Sequence, residues 1–215
     1  MEGLIAQYLA APELPLELEV KFGTKGPRIG RDAYDRVASR LLSIGFRKLP
    51  QVDLLRVIPV GGDVQNIRYE AEGKGAVRAY CVSEQPSSTE GQMIEKKRVA
   101  DPVEIPEFGF RVVLASEDKV DEAVLPTVEG AWTGSKKLYR LGKRISMVHD
   151  KFPLRVDLTV VKSNADKGLV PTARFAVSRV TKAMPTFEVE IEVQRPASSA
   201  ETVSYTHLRA HETDR

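Results

Sequence analysis

Strict alternation of apolar and polar positions marks both ends of this chain. Leu16-Glu17-Leu18-Glu19-Val20-Lys21-Phe22-Gly23 alternates near the start, and Phe187-Glu188-Val189-Glu190-Ile191-Glu192-Val193 near the end. Side chains point to opposite faces of a strand with a period of two. Glu17, Glu19 and Lys21 therefore share one face, as do Glu188, Glu190 and Glu192, and the opposite faces are wholly apolar. Glutamate is a poor strand former, and like charges along one face repel. Glutamates placed this way predict a function that needs a dense patch of oxygen ligands.

The same reading predicts further strands over 52–60, 64–70, 76–82, 93–99, 109–115, 137–148, 154–162, 174–180 and 186–194. A short apolar helix is expected over 4–11, ended by Pro12. A second spans 32–44, with Asp32 as cap, Ala33, Val37, Leu41 and Ile44 on one stripe, and Gly45 at its end. A third short helix is expected over 116–125. Gly61-Gly62 and Glu72-Gly73-Lys74-Gly75 read as hairpin turns, and 24–31 as a loop. Few helices and eight or more antiparallel strands predict an α+β fold built on a large sheet or barrel.

Charged residues recur on one face of several strands. Such a face either meets bulk water or lines the wet interior of a closed barrel. The acids on these faces are Glu17, Glu19, Asp157, Glu188, Glu190 and Glu192, and the bases are Lys21, Arg68, Arg98, Arg111, Arg144 and Arg155. Near-matched charges can share a confined space, because burying a charge is costly unless it is paired or hydrated. A barrel interior of this composition suits a polyanion and a hard divalent metal together. Arginine forks clamp phosphate oxygens, and carboxylates hold the cation.

Composition narrows the partners. The 215 residues suffice for one large or two small domains, and 32 basic against 30 acidic residues leave a net charge of +2. That balance argues against a surface coated for non-specific nucleic-acid binding but permits a local basic groove. Cys81 is the one cysteine, which excludes a disulfide framework and a cysteine zinc site. No apolar run is long enough to span a membrane, and Met1-Glu2-Gly3-Leu4-Ile5-Ala6 lacks the basic region of a signal peptide. The expected compartment is reducing, cytoplasm or nucleus. Residues 1–195 read as one domain and 196–215 as an unstructured tail. From about Val203 the tail resembles a translated sequencing-adapter peptide, so His207 and His211 carry no functional weight.

Three strands, in order and spacing, carry a family resemblance. Glu17-Leu18-Glu19-Val20-Lys21 resembles the Glu-x-Glu-x-Lys first strand of the triphosphate tunnel metalloenzymes. Glu188-Val189-Glu190-Ile191-Glu192 resembles their last, metal-binding strand. Arg155-Val156-Asp157-Leu158-Thr159 resembles the Arg-x-Asp-x-Thr strand of one branch, the metal-dependent RNA 5′-triphosphatases of mRNA capping in fungi, protists and large DNA viruses. The likeness covers 16–193. It implies an eight-stranded antiparallel barrel forming a closed tunnel, with a few helices packed outside.

The resemblance also implies an activity and a set of roles. Metal-dependent hydrolysis would take the γ-phosphate from 5′-triphosphate RNA, the first step of capping, with nucleoside triphosphates as further substrates. Glu17, Glu19 and Glu192 would bind Mg2+ or Mn2+, with Glu190 as an alternative or as support to the metal shell alongside Glu188. Lys21, Arg68 and Arg155 would contact phosphates, as would Arg98 and, less firmly placed, Arg111. Glu117 would position the attacking water, and Asp157 and Thr159 would brace the arginines. A guanylyltransferase domain or subunit is an implied partner, and a viral origin is compatible.

One departure stands out. The family often shows a Lys-x-Arg pair on a central strand, whereas here Arg140, Gly142 and Arg144 share a face and Lys143 lies on the other. Either Gly142 replaces the lysine or a bulge turns Lys143 inward. Lys96-Lys97-Arg98 is ambiguous in phase in the same way. Other chemistry finds no support: there is no phosphate loop, Gly23-Thr24-Lys25-Gly26 reads as a turn, and His149-Asp150 has no nucleophile partner. Trp132 and Tyr139 are expected in packing rather than base stacking. Competing readings are an inorganic triphosphatase or thiamine-triphosphatase-like enzyme, a non-catalytic barrel that binds polyphosphate or RNA ends, and a sheet with solvated charged faces.

Overall fold

The computed structural model describes residues 1–23, 28–61, 66–165 and 170–195. Ten strands are seen: β1 (Leu16–Phe22), β2 (Arg47–Lys48), β3 (Val52–Val60), β4 (Ile67–Glu72), β5 (Gln92–Arg98), β6 (Val103–Ile105), β7 (Phe110–Lys119), β8 (Lys136–His149), β9 (Phe152–Ser163) and β10 (Thr186–Val193). Their order is β1-β10-β9-β8-β3-β4-β5-β7, and β7 pairs back onto β1. That last pairing closes an eight-stranded antiparallel barrel. β2 adds to β8 and β6 to β7 outside the ring.

Four helices cover the apolar outside: α1 (Glu2–Ala10), α2 (Arg31–Ser43), α3 (Lys74–Ser83) and α4 (Leu125–Trp132). α1 lays Leu4 and Tyr8 on Leu18, Val112 and Leu114 of β1 and β7. α2 buries Tyr34 with Met147, Val156, Leu158 and Val189. α3 and α4 bring Tyr80, Val128 and Trp132 onto Leu55, Val57, Tyr69 and Tyr139. The hydrophobic cores therefore lie outside the barrel wall, which leaves the inner face free for charge.

Where the alternation was strict the strands form as read. Three segments differ. The strand expected over 76–82 is helix α3, because Ala76, Val77, Tyr80 and Cys81 pack on the core at helical spacing while Val82 is 79% exposed. Glu72 to Gly75 is consequently a helix entry at Gly73 and not a hairpin. The helix expected over 116–125 continues β7 instead, since Ser116, Glu117, Asp118 and Lys119 pair with β5. The strand expected over 174–180 is irregular and ends in a 3-10 turn at Val180–Lys182. It covers Lys137, which is buried, donates to Ser135 O and Ala173 O, and lies over the Trp132 ring. Thr24, Lys25, Gly26, Gly62 and the tail 196–215 lie outside the described residues.

Trp132 and Tyr139 are buried in that outer core, with the Trp132 Nε1–H donating to Tyr80 Oη at 3.3 Å. Trp132→Ala is expected to cost about 3–5 kcal/mol of stability in chemical denaturation, as large core deletions do. Turnover per folded molecule should be unchanged.

Candidate active site

The inner face of each strand follows from the pairing register. Cross-strand partners share a face, and β1 pairs Glu19 with Glu192 and Lys21 with Glu190 of β10. β10 in turn pairs Glu188 with Thr159, Glu190 with Asp157 and Glu192 with Arg155 of β9. On the other side β1 pairs Lys21 with Arg111 of β7, and β7 pairs Glu117 with Lys96 of β5. The strict alternation seen in the sequence thus carries all of these groups into one tunnel.

Each carboxylate is held by a cation. Lys96 Nζ lies 2.5 Å from Glu17, 3.0 Å from Glu117 and 3.4 Å from Glu19. Lys21 Nζ is 2.8 Å from both Glu19 and Glu190. Arg68 bridges Glu70 at 2.6 Å and Glu117 at 2.7 Å, and Arg56 reaches the same Glu70 at 2.7 Å. Arg140 donates to both oxygens of Glu188, and Arg155 to Glu192. Asp157 is buried between Arg155 at 3.2 Å and Arg144 at 3.5 Å, and accepts from Ser146 Oγ at 2.6 Å. Thr159 is buried beside Gly142.

Burial and pairing pull the carboxylates of the cluster in opposite directions. Burial pushes the Glu17 carboxyl up to about 7 against the pull of Lys96, with the charges of Glu117 and Glu19 adding to the rise. Burial also raises Glu192 despite Arg155. Glu117 and Glu190 go the other way. Burial would raise both, but Arg68 and Lys96 pull Glu117 down to about 2, and Lys21 and Arg56 hold Glu190 at about 2.

A metal set at Glu17, Glu19 and Glu192 is not preassembled. Among the described residues no group of three or more His, Cys, Asp or Glu side chains is gathered as metal ligands. The physical reason is the pairing just described, with Lys96, Lys21 and Arg155 each occupying a carboxylate. The donor chemistry still fits a hard divalent ion, since every ligand is a carboxylate oxygen and the Lys96 ammonium already sits beside two of them, Glu17 and Glu19. A bound cation would displace that ammonium contact.

Two expected residues fall outside the cluster. Lys143 is exposed on the outer face, and no bulge turns it inward, because β8 keeps its register with β9 until Val148. Gly142 takes the inner position. Lys143→Ala is expected to leave turnover within about twofold and stability within about 0.5 kcal/mol, as exposed sites do. Arg98 has the inner phase but lies beyond Glu95, where pairing with β4 ends, and is exposed. Its neighbour Lys96 reaches the carboxylates instead. His149 is the last residue of β8, where it accepts from the Lys151 N–H and packs on Phe46 and Phe152.

Arg56 and Glu70 belong to the cluster without having been singled out, and Arg140 and Lys96 without having been given a role. Arg56 was hidden in the apolar run 52–60, where Leu54 and Ile58 share its inner face, although a lone charge in such a run is itself a signal. Glu70 shares the Arg68 face by simple alternation about Tyr69. Lys96 was masked because Met93 and Ile94 are both apolar and leave the phase open.

The two ends of the barrel differ in charge. At one end, where β1 finishes and β4 and β7 begin, a cavity of about 470 Å3 is lined by Lys21, Arg28, Arg56, Arg68, Arg111 and Arg140, against Glu188 and Glu190. At the other strand ends a cavity of about 900 Å3 is lined by Glu70, Glu72, Glu90, Asp121, Glu122 and Glu129, against Arg56 and Lys119.

Comparison with known proteins agrees with this geometry. A family model described as "mRNA capping enzyme, beta chain" matches residues 63–210. The fold is similar to the crystal structure of the RNA triphosphatase domain of a trifunctional mimivirus mRNA capping enzyme, at 17% identity and a TM-score of 0.64, covering 89% of this chain and 87% of that one. It is also similar to the S. pombe Pct1 RNA triphosphatase, at 15% identity and a TM-score of 0.54, covering 90% and 76%. A second Pct1 structure, in complex with the Spt5 CTD, matches at 16% identity and a TM-score of 0.55, covering 89% and 77%. No curated protein matches the chain significantly.

Proposed function

Because the chain belongs to the mRNA capping enzyme beta-chain family, we propose that it hydrolyses the γ-phosphate of 5′-triphosphate RNA and leaves a diphosphate end. One observation carries this reading. A closed barrel holds Glu17, Glu19, Glu117 and Glu192 on the same inner surface as Arg68, Arg111 and Arg155, behind a mouth lined by cations.

The substrate's charge explains the composition. A γ-phosphoryl group must be neutralised before water can attack, and its loose transition state asks for positioning and electrostatics rather than a nucleophilic side chain. Lys21, Arg56, Arg68, Arg111 and Arg140 bind the phosphate chain from the basic end. Glu17, Glu19 and Glu192 would hold a divalent ion, Mg2+ or Mn2+, with Glu190 beside them. The bound ion would supply charge neutralisation at the phosphate oxygens. Asp157 fixes the directions of Arg144 and Arg155. Glu117, kept ionised by Arg68 and Lys96, accepts a hydrogen bond from the attacking water and so aligns it.

Water adds to the γ-phosphorus, the bond to the β–γ bridging oxygen breaks, and inorganic phosphate leaves. Nucleoside triphosphates carry the same chain and are expected to turn over as well. The diphosphate end is the acceptor that a guanylyltransferase needs, which makes such a domain or subunit the natural partner. The site of action follows from the RNA, in the nucleus or in the cytoplasm for a virus-encoded protein. The test is phosphate release from 5′-triphosphate RNA with and without Mg2+ or Mn2+. Release that requires metal supports the reading, and a folded sample that releases nothing with either ion refutes it.

A further inference from the structure

Beside the basic mouth, on the outer side of the wall, stands an aromatic step that the phosphate chemistry does not use. Phe108 is 73% exposed, the most exposed of the described aromatic side chains. Its ring stacks on Phe110 at 6.1 Å and 18°, and Phe110 meets Phe22 at 5.5 Å. Phe22 and Gly23 line the basic cavity, and Gly23 N–H donates to Gly109 O at 2.9 Å. The three rings therefore form a ladder on the outer side of the barrel wall, with Phe22 and Phe110 against the outer cores and Phe108 in solvent, at the strand ends that carry the basic mouth. Gly109, at φ +64, supplies the left-handed turn that presents Phe108 outward.

Charge decides which mouth faces the RNA. A polyanion is drawn to the end lined by Lys21, Arg111 and Arg140 and repelled from the end lined by Glu72, Glu122 and Glu129. With the triphosphate inside the tunnel, the nucleosides that follow must leave across the basic rim. Resting on the triphosphatase reading above, we propose that Phe108 is a stacking platform for one of the first bases of the RNA. Aromatic stacking beside a basic groove grips single strands without reading sequence, because every base has a π face. Such a step distinguishes RNA from a bare polyphosphate, which the inner cluster alone would not.

The experiment compares a 5′-triphosphate pentanucleotide with tripolyphosphate, which has no base. Phe108→Ala is expected to raise KM for the RNA about five- to tenfold with kcat little changed. The inhibition constant of tripolyphosphate should stay within twofold, and Phe108→Trp should restore the RNA KM. The chain has one tryptophan, Trp132, which is buried, so added emission in Phe108→Trp reports on the rim. Its emission should respond to the pentanucleotide under metal-free conditions and not to tripolyphosphate. Equal effects on both ligands, or a silent emission together with an unchanged RNA KM, overturn the platform. The emission arm needs no turnover, so it decides the platform even if the wild-type protein releases no phosphate, a result that would overturn the triphosphatase reading by itself.

Discussion

Replacing Glu19 with alanine is expected to lower phosphate release by about a hundred- to a thousandfold, the loss typical when one preorganised electrostatic group is removed from a catalytic site. Glu19 lies between Glu17 and Lys21 on the inner face of β1. It is 8% exposed, pairs with Glu192 across the strands, and takes contacts from both Lys21 at 2.8 Å and Lys96 at 3.4 Å. Its removal has two effects. On the proposed reading one oxygen ligand for the divalent ion is lost, and the negative charge that would draw the ion falls by one. Glu19→Gln separates them, because it keeps the volume and one oxygen but not the charge. If charge is what matters, the glutamine variant should be nearly as poor as alanine, and Mn2+ binding measured by calorimetry should weaken in both. Activity that survives Glu19→Ala would show that the ion is held elsewhere.

How much of this was legible in the sequence depends on how strictly each strand alternates. β1, β9 and β10 have an inner face that is almost entirely polar and an outer face that is apolar, so burial on one side left a clear pattern. Glu17, Glu19, Arg155, Asp157 and Glu192 could be placed on the charged faces of their strands from the residues alone, and the family resemblance made those faces the inner ones. β3 lacked that contrast, because Leu54 and Ile58 face inward with Arg56, and β5 lacked it at Met93-Ile94. Arg56, which was missed, and Lys96, whose phase stayed open, are therefore on strands that carry apolar groups on both faces. α3 was misread for a different reason. A short segment rich in Val, Tyr and Cys has strand-like composition, and only its packing on Tyr69 and the outer core selects the helix. The ion pairing between strands, which keeps the metal ligands apart, is a matter of register and side-chain reach, and no local pattern encodes it.

Arg111→Ala should lose about a hundredfold in phosphate release while the fold stays as stable as before or becomes more so. Arg111 faces the basic cavity, paired across the strands with Lys21. It takes part in none of the ion pairs among the described residues, and its Nε is buried without a hydrogen-bond partner. A buried donor left unsatisfied costs about 1–3 kcal/mol, so its removal offsets the packing lost with the side chain. A cation held in this way is a reservoir of unspent interaction, available to phosphate oxygens and to little else, as strained functional groups often are. Arg155 makes the opposite case, being paired to both Glu192 and Asp157. Arg155→Ala takes one partner from each of two carboxylates, leaving Glu192 with Gln194 and Asp157 with Arg144 and Ser146, and should destabilise the fold by about 1–3 kcal/mol as well as lowering activity. Thermal unfolding of the two variants beside the wild type, with phosphate release measured on the same samples, separates the roles. A large loss of stability in Arg111→Ala would mean that its guanidinium is a structural tie across the mouth rather than a free clamp for phosphate.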